Sequence, residues 1–310
     1  MVQPRQPSRD GQPPARTRPA PASDPFAGDF SQERTTAAVT SWPVLQWHGG
    51  LASLVGDADT VKINGGFFIE GDRIIELGLE PGNPAPGFER VTLRLGGKQI
   101  EGWGASLLHL AFIFSDFHWE DRESGRLRFP PAEYERRKQQ MPGSERELRG
   151  RTRALVGVRE LLDEGVVEPL VFSVRGTYSA ALNGILRDLK RMADEATRLR
   201  KRAGHSGLIP REAFWVPIYT GGMESVGEGA NTSRVALPKA DIPPDLSRDF
   251  LVSHLVDEAH RRPGGTFDEW AETYGPAWEE RAIGASADES YTQNGNYNDR
   301  YVEEPYEDYS

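Results

Sequence analysis

Cysteine is absent from this chain of 310 residues. Its absence excludes a disulfide framework, thiol catalysis and cysteine-ligated zinc, and it fits a reducing, cytoplasmic setting. No run of about 18 apolar residues occurs, so no membrane span is expected. The opening stretch, MVQPRQPSRDGQPPARTRPAPASDPF, lacks the apolar centre of a secretory signal. Catalytic signatures are missing as well. GGMESVGEGANTS has glycines but neither a Gly-Lys-Ser/Thr ending nor a preceding βα unit, so it is no phosphate-binding loop. No GxSxG or other nucleophile motif appears. The sequence therefore points to no catalytic residue, no metal and no cofactor, and a binding protein is the class left.

What is present is unevenly distributed. The formal net charge is −10. Residues 265–310 hold twelve acidic side chains against two arginines, while 34–264 come out near zero. Between Arg126 and Arg202 there is a basic excess. A neutral-to-basic body thus precedes an acidic tail.

Residues 1–38 are rich in Pro, Arg, Gln, Ser and Ala and cannot bury enough apolar surface to offset chain entropy, so they read as disordered. A β-rich core is expected over 39–240. SWPVLQWHGG, VKINGGFFIE and ERVTLRLGGKQIEGW supply strands; Val91, Leu93 and Leu95 alternate with polar residues, and Gly96-Gly97 marks a hairpin. Adjacent strand residues face opposite sides, so one of Phe67 and Phe68 belongs to the core and the other to the outer face. The apolar run ASLLHLAFIF suits a buried strand or a short buried helix. Residues 115–148 read as an inserted polar, aromatic loop. TRALVGV and EPLVFSVRG are strands, followed by a helix over 178–202 with one apolar stripe from Leu182 to Leu199 and a basic opposite face. Pro217 makes AFWVPIY an edge strand. Residues 241–284 read as a helical extension, with DLSRDFLVSHLVDEAHRR as one helix. Residues 285–310 are acidic, hold five of the nine tyrosines, and read as disordered.

Two polar constellations could bind metal. His254, Asp257, Glu258 and His260 do not make a clean HExxH spacing and suit a solvated helix face. Asp116, His118 and Asp121 lie close together in SDFHWED, and a charged loop is the plainer reading. Basic and aromatic residues interleave more persistently. Single-strand binders need such a mixture, because every nucleotide brings a phosphate and a π face. The candidate contacts are Phe67, Arg94, Lys98, Trp103, Phe117, Trp119, Arg122, Arg126, Arg128, Arg151, Arg153 and Arg175.

The layout, several short strands with an aromatic-basic loop and then an acidic tail, resembles OB-fold single-stranded DNA-binding proteins of bacteria, phages and mobile elements. The tail residues concerned are Glu303, Glu304, Tyr306, Glu307, Asp308 and Tyr309 in EEPYEDYS. The family's tail ends in a hydrophobic residue and this chain ends in Ser310. The resemblance implies an α+β, β-rich fold: an OB-like barrel or curved antiparallel sheet carrying the long amphipathic helix. It implies single-stranded DNA (or RNA) as ligand, replication or recombination proteins as partners of the tail, and no membrane; a homo-oligomer is compatible with it. A nuclease or a subunit of a defence complex, and an adaptor of a virion or other assembly, are the rival expectations.

Overall fold

A computed structural model describes residues 42–49, 54–56, 62–63, 65–95, 98–121, 128–129, 135–136, 139, 148–227 and 232–283. The fold is mixed α+β and strand-rich, built on a strongly curled, half-barrel sheet. The strands are β1 (Val44–His48), β2 (Leu54–Gly56), β3 (Lys62–Ile63), β4 (Gly66–Glu70), β5 (Glu89–Leu95) and β6 (Lys98–Ala105). They continue with β7 (Leu107–Asp121), β8 (Arg128–Phe129), β9 (Leu148–Val158), β10 (Leu170–Arg175), β11 (Val216–Val226) and β12 (Ser233–Lys239). Their order in the sheet is β12-β11-β7-β9-β10-β1-β4-β6-β5-β2-β3, with β8 added beside β7. Among the described residues only the β1–β10 pair is parallel; the other pairs are antiparallel.

Alternation along the strands divides most of the core between two clusters. On the inner face Leu45, Trp47, Phe67, Trp103, Phe112, Val156 and Phe172 share one cluster with helix α3 (Thr177–Arg202). That helix buries Leu182, Ile185, Leu186, Leu189, Met192, Ala193 and Ala196, and Gly204 at φ 85° follows its end. The curl brings the first and last strands together. The Ala236 N–H donates to the Gly49 carbonyl at 2.5 Å, and Trp47 Nε1 donates to the Ala236 carbonyl at 3.1 Å. On the outer face Trp42, Leu155, Val171 and Trp215 form a second cluster with Phe267, Trp270 and Trp278 of helix α6 (Thr266–Ile283). The structure also has short helices α1 (Gly71–Glu76), α2 (Arg159–Leu162), α4 (Arg248–Ser253) and α5 (Glu258–Arg261).

Several expectations change. ASLLHLAFIF is a strand, and it does not stop where the loop was expected: Ser115–Asp121 stays in β7, paired with β9 as far as Asp121 and Leu148. Cross-strand pairing of the alternating DFHWE segment with RGRT outweighs its polarity. β11 is not an edge strand, because it lies between β7 and β12. Pro217 fits there because β12 pairs with β11 only from Tyr219 onward, and the N–H of its β7 partner His109 donates to Glu160 instead. The segment 248–261 is two short helices rather than one. Ser247 Oγ caps α4 by accepting from the Phe250 N–H, and the chain then breaks as Leu255 bridges to Phe214. Phe68 is as buried as Phe67, in a third cluster with Val91 and Leu93.

Candidate functional site

β7 and β9 pair as a long ribbon whose two faces differ. On the outer face three cross-strand pairs follow each other: Asp116 opposite Arg153, His118 opposite Arg151, and Glu120 opposite Arg149. β10 extends the rows, with Ser173 beside Arg153 and Arg175 beside Arg151. The cause is plain in the sequence: R-x-R-x-R at 149–153 and D-x-H-x-E at 116–120 both have the period of a strand, so each set lies on one face.

Glu120 is fully buried and sits among three guanidiniums. Arg149 Nε donates to its Oε1 at 2.6 Å, Arg175 Nε reaches the same oxygen at 2.9 Å, and Arg151 NH1 reaches Oε2 at 3.3 Å. Arg151 Nε also donates to Ser173 Oγ at 2.9 Å. Burial by itself would raise the Glu120 pKa, but the positive charges of Arg151, Arg175 and Arg149 overcome it and hold the carboxyl below its ordinary value. Arg151 and Arg175 lie directly opposite each other, an arrangement that repels unless a carboxylate bridges it, as Glu120 does.

Asp116 takes a two-point contact from Arg153, Nε to Oδ1 at 3.2 Å and NH2 to Oδ2 at 2.6 Å. Burial opposes its charge; the His118 ring and the Arg153 guanidinium outweigh that and lower its pKa to about 2. Burial lowers the pKa of His118, and its Nε2 has no hydrogen-bond partner among the described residues. The Trp278 ring covers Arg153, with the guanidinium carbon 5.3 Å from the ring centre. The ladder is open on the Arg175 and Asp116 sides, where the side chains are 19% and 17% exposed.

On the inner face of the same ribbon Phe117 and Trp119 are half-buried and meet edge to face at 5.4 Å. A side chain at Gly150 would collide with the Phe117 ring, so glycine there admits the aromatic pair. Thr152 and Ser179 share a buried hydrogen bond of 2.6 Å, tying the ribbon to the first turn of α3.

The sequence candidates thus separate. Arg151, Arg153 and Arg175 come together in the ladder, and Phe117 and Trp119 flank it on the other face. Phe67 and Trp103 do not join them. Phe67 packs on Trp47 at 5.0 Å, and Trp103 donates to the Pro81 carbonyl at 2.8 Å; both rings are in the interior and present no face for stacking. Arg94, Lys98 and Arg128 occupy backbone positions in β5, β6 and β8, and their side chains lie outside the described residues, as do Arg122, Arg126 and all six tail residues from Glu303 to Tyr309. Arg149, Glu120 and Ser173 were missed; the two complementary alternations were the signal that could have found them. Of the metal constellations, His254 Nδ1 lies 2.8 Å from the Phe250 carbonyl and His260 Nδ1 3.0 Å from Thr266 Oγ1, while Asp116 faces Arg153. Among the described residues no group of three His, Asp or Glu is placed to hold a metal ion. A surface depression lined by Glu70, Asp72, Arg90 and Glu101 shares no residue with the ladder. No helix among the described residues is long and apolar enough to cross a membrane.

Comparison of the chain with protein-family models, curated proteins and solved structures finds no match.

Proposed function

We propose that the chain binds single-stranded nucleic acid, DNA first, along the β7–β9–β10 ribbon. The observation that supports this most is the run of Arg149, Arg151 and Arg153 at alternate positions of one strand, with Arg175 beside them on the next. Alternate residues of a strand lie about 7 Å apart. An extended nucleotide chain spaces its phosphates on a similar scale, and guanidiniums bind phosphate in a two-point fashion. Phe117 and Trp119 are half-buried aromatics of the same ribbon, but they lie on its reverse and do not share the arginine face. In this reading the curled sheet plays the part of an OB-like platform, and the acidic tail with Tyr306 and Tyr309 recruits replication or recombination partners.

A second reading rests on Glu120, which has no exposed surface. A carboxylate so placed also suits a purely structural ion-pair ladder in an adaptor protein. Fluorescence anisotropy of labelled oligo-dT with the full chain separates the two. Nucleic-acid binding requires log affinity to fall linearly with log salt, and Arg175→Glu to weaken it. Absence of salt-sensitive binding to oligo-dT or oligo-U at low salt overturns the first reading, and a large assembly in that sample favours the second.

A further inference from the structure

We propose that Glu120 and Asp116 occupy the arginine ladder as internal stand-ins for phosphate, and that a bound strand's phosphates take their places. The inference rests on the nucleic-acid reading above and deepens it, since it assigns two acidic residues an inhibitory part in a basic site.

The geometry is that of an oxyanion site already filled. Glu120 receives three guanidiniums from two strands, through both of its oxygens. Asp116 receives Arg153 through both of its oxygens. A phosphodiester offers the same two-point acceptor to the same forks. The carboxylates also hold the arginines in their present rows. Arg151 and Arg175 are like charges directly opposite each other, and a bridging anion offsets their repulsion. The free protein therefore keeps its cations assembled by carrying its own anions, and a ligand has to exchange with them rather than add to them. The exchange can begin at either flank of β9, where Arg175 and Ser173 on β10 and Asp116 on β7 are partly exposed.

The exchange makes a prediction opposite to that for a merely structural pair: neutralising the carboxylate strengthens binding. The test compares full-length wild type, Glu120→Gln, Asp116→Asn and the surface control Glu76→Gln. Glu76 is exposed and pairs with Arg73 on the same short helix. Each is titrated with labelled oligo-dT over a range of NaCl, after far-UV circular dichroism has shown that it is folded. Glu120→Gln is expected to bind about tenfold more tightly than wild type, with a salt slope steeper by about one phosphate contact. Asp116→Asn moves the same way by less, and Glu76→Gln does not move. Should Glu120→Gln fail to fold, Asp116→Asn, at the more exposed end, decides alone. Unchanged or weaker binding by the ladder variants, with wild type binding normally, overturns the exchange and leaves the nucleic-acid reading standing. Equal tightening by Glu76→Gln also overturns it, because the effect is then one of overall charge. Binding by the ladder variants alone supports it, and no binding by any protein removes both proposals.

Discussion

His48 is buried on β1, where its ring meets Phe68 edge to face at 5.7 Å and its Nε2 lies 3.0 Å from Gln46 Oε1. Burial lowers its pKa to about 4. In the unfolded chain the ordinary value is 6.5, so between these two limits the unfolded state binds more protons than the folded one. Stability is then complete above about pH 6.5 and falls as the pH drops towards 4, by about 3 kcal/mol for this residue. His118, lowered in the same direction, adds to the loss. Asp116, at about 2, loses its contribution only at much lower pH. Urea titrations of wild type and His48→Gln at pH 7 and pH 5 check this: the wild type should lose stability between them, and the variant should lose clearly less. At the same scale, Glu120→Ala leaves the buried guanidiniums of Arg149 and Arg151, and the partly exposed one of Arg175, without their shared carboxylate and is expected to cost about 3–5 kcal/mol, read as a lower urea midpoint in low-phosphate buffer.

The elements are joined by a few close approaches. Gly49 lets the end of β1 lie against β12: a side chain there would stand 2.6 Å from the Ala236 carbonyl oxygen and run into the Tyr178 ring. Gly49→Ala should therefore destabilise by about 1–3 kcal/mol through overpacking, measured as a fall in Tm, although the substitution adds only one methyl group. Helix α6 contains Gly275-Pro276 in its interior, which weakens it as an isolated helix. Its place comes from aromatic packing. Trp278 stacks on Trp42 with centroids 5.7 Å apart and planes 6° from parallel, and Trp270 Nε1 donates to the Val167 carbonyl at 2.8 Å. Trp278→Ala is expected to cost about 3–5 kcal/mol, with a blue-shifted component lost from the tryptophan emission.

Across the molecule, both main cores use the same strands. Leu155 and Val171 belong to the outer cluster, while their neighbours Ala154, Val156 and Phe172 belong to the inner one. Neither cluster can open without disturbing the strands of the other, so the folded body should unfold in one cooperative step. Four of the seven tryptophans (Trp42, Trp215, Trp270 and Trp278) lie in the outer cluster. Their emission therefore follows that layer, while far-UV circular dichroism follows the whole. Coincident urea transitions by the two probes are the expected result, and an earlier tryptophan transition would show an outer layer that unfolds by itself.

Local alternation carried much of this protein on its own. The period-2 runs around Val91 and Leu93, the inward stripe from Leu182 to Ala196 and the β-rich α+β class follow from which side chains avoid water at each spacing. The arginine ladder was half legible: Arg151, Arg153 and Arg175 stood out as basic residues on strands, but nothing local says that Glu120 lies among them, since 28 or more residues separate it from each. The end of β7 is hidden from local reading for a related reason. A polar segment such as DFHWE reads as loop until a complementary strand brings it opposite charges, and that strand lies beyond a long intervening segment. Aromatic exposure was likewise beyond local reading: Phe67 and Trp103 look the same as Phe117 and Trp119 in sequence, yet the curl of the sheet encloses the first pair and leaves the second half open. Pattern along the chain determines which residues share a face. Only the tertiary structure decides what that face meets, because burial and ion pairing depend on strands brought together from distant parts of the sequence.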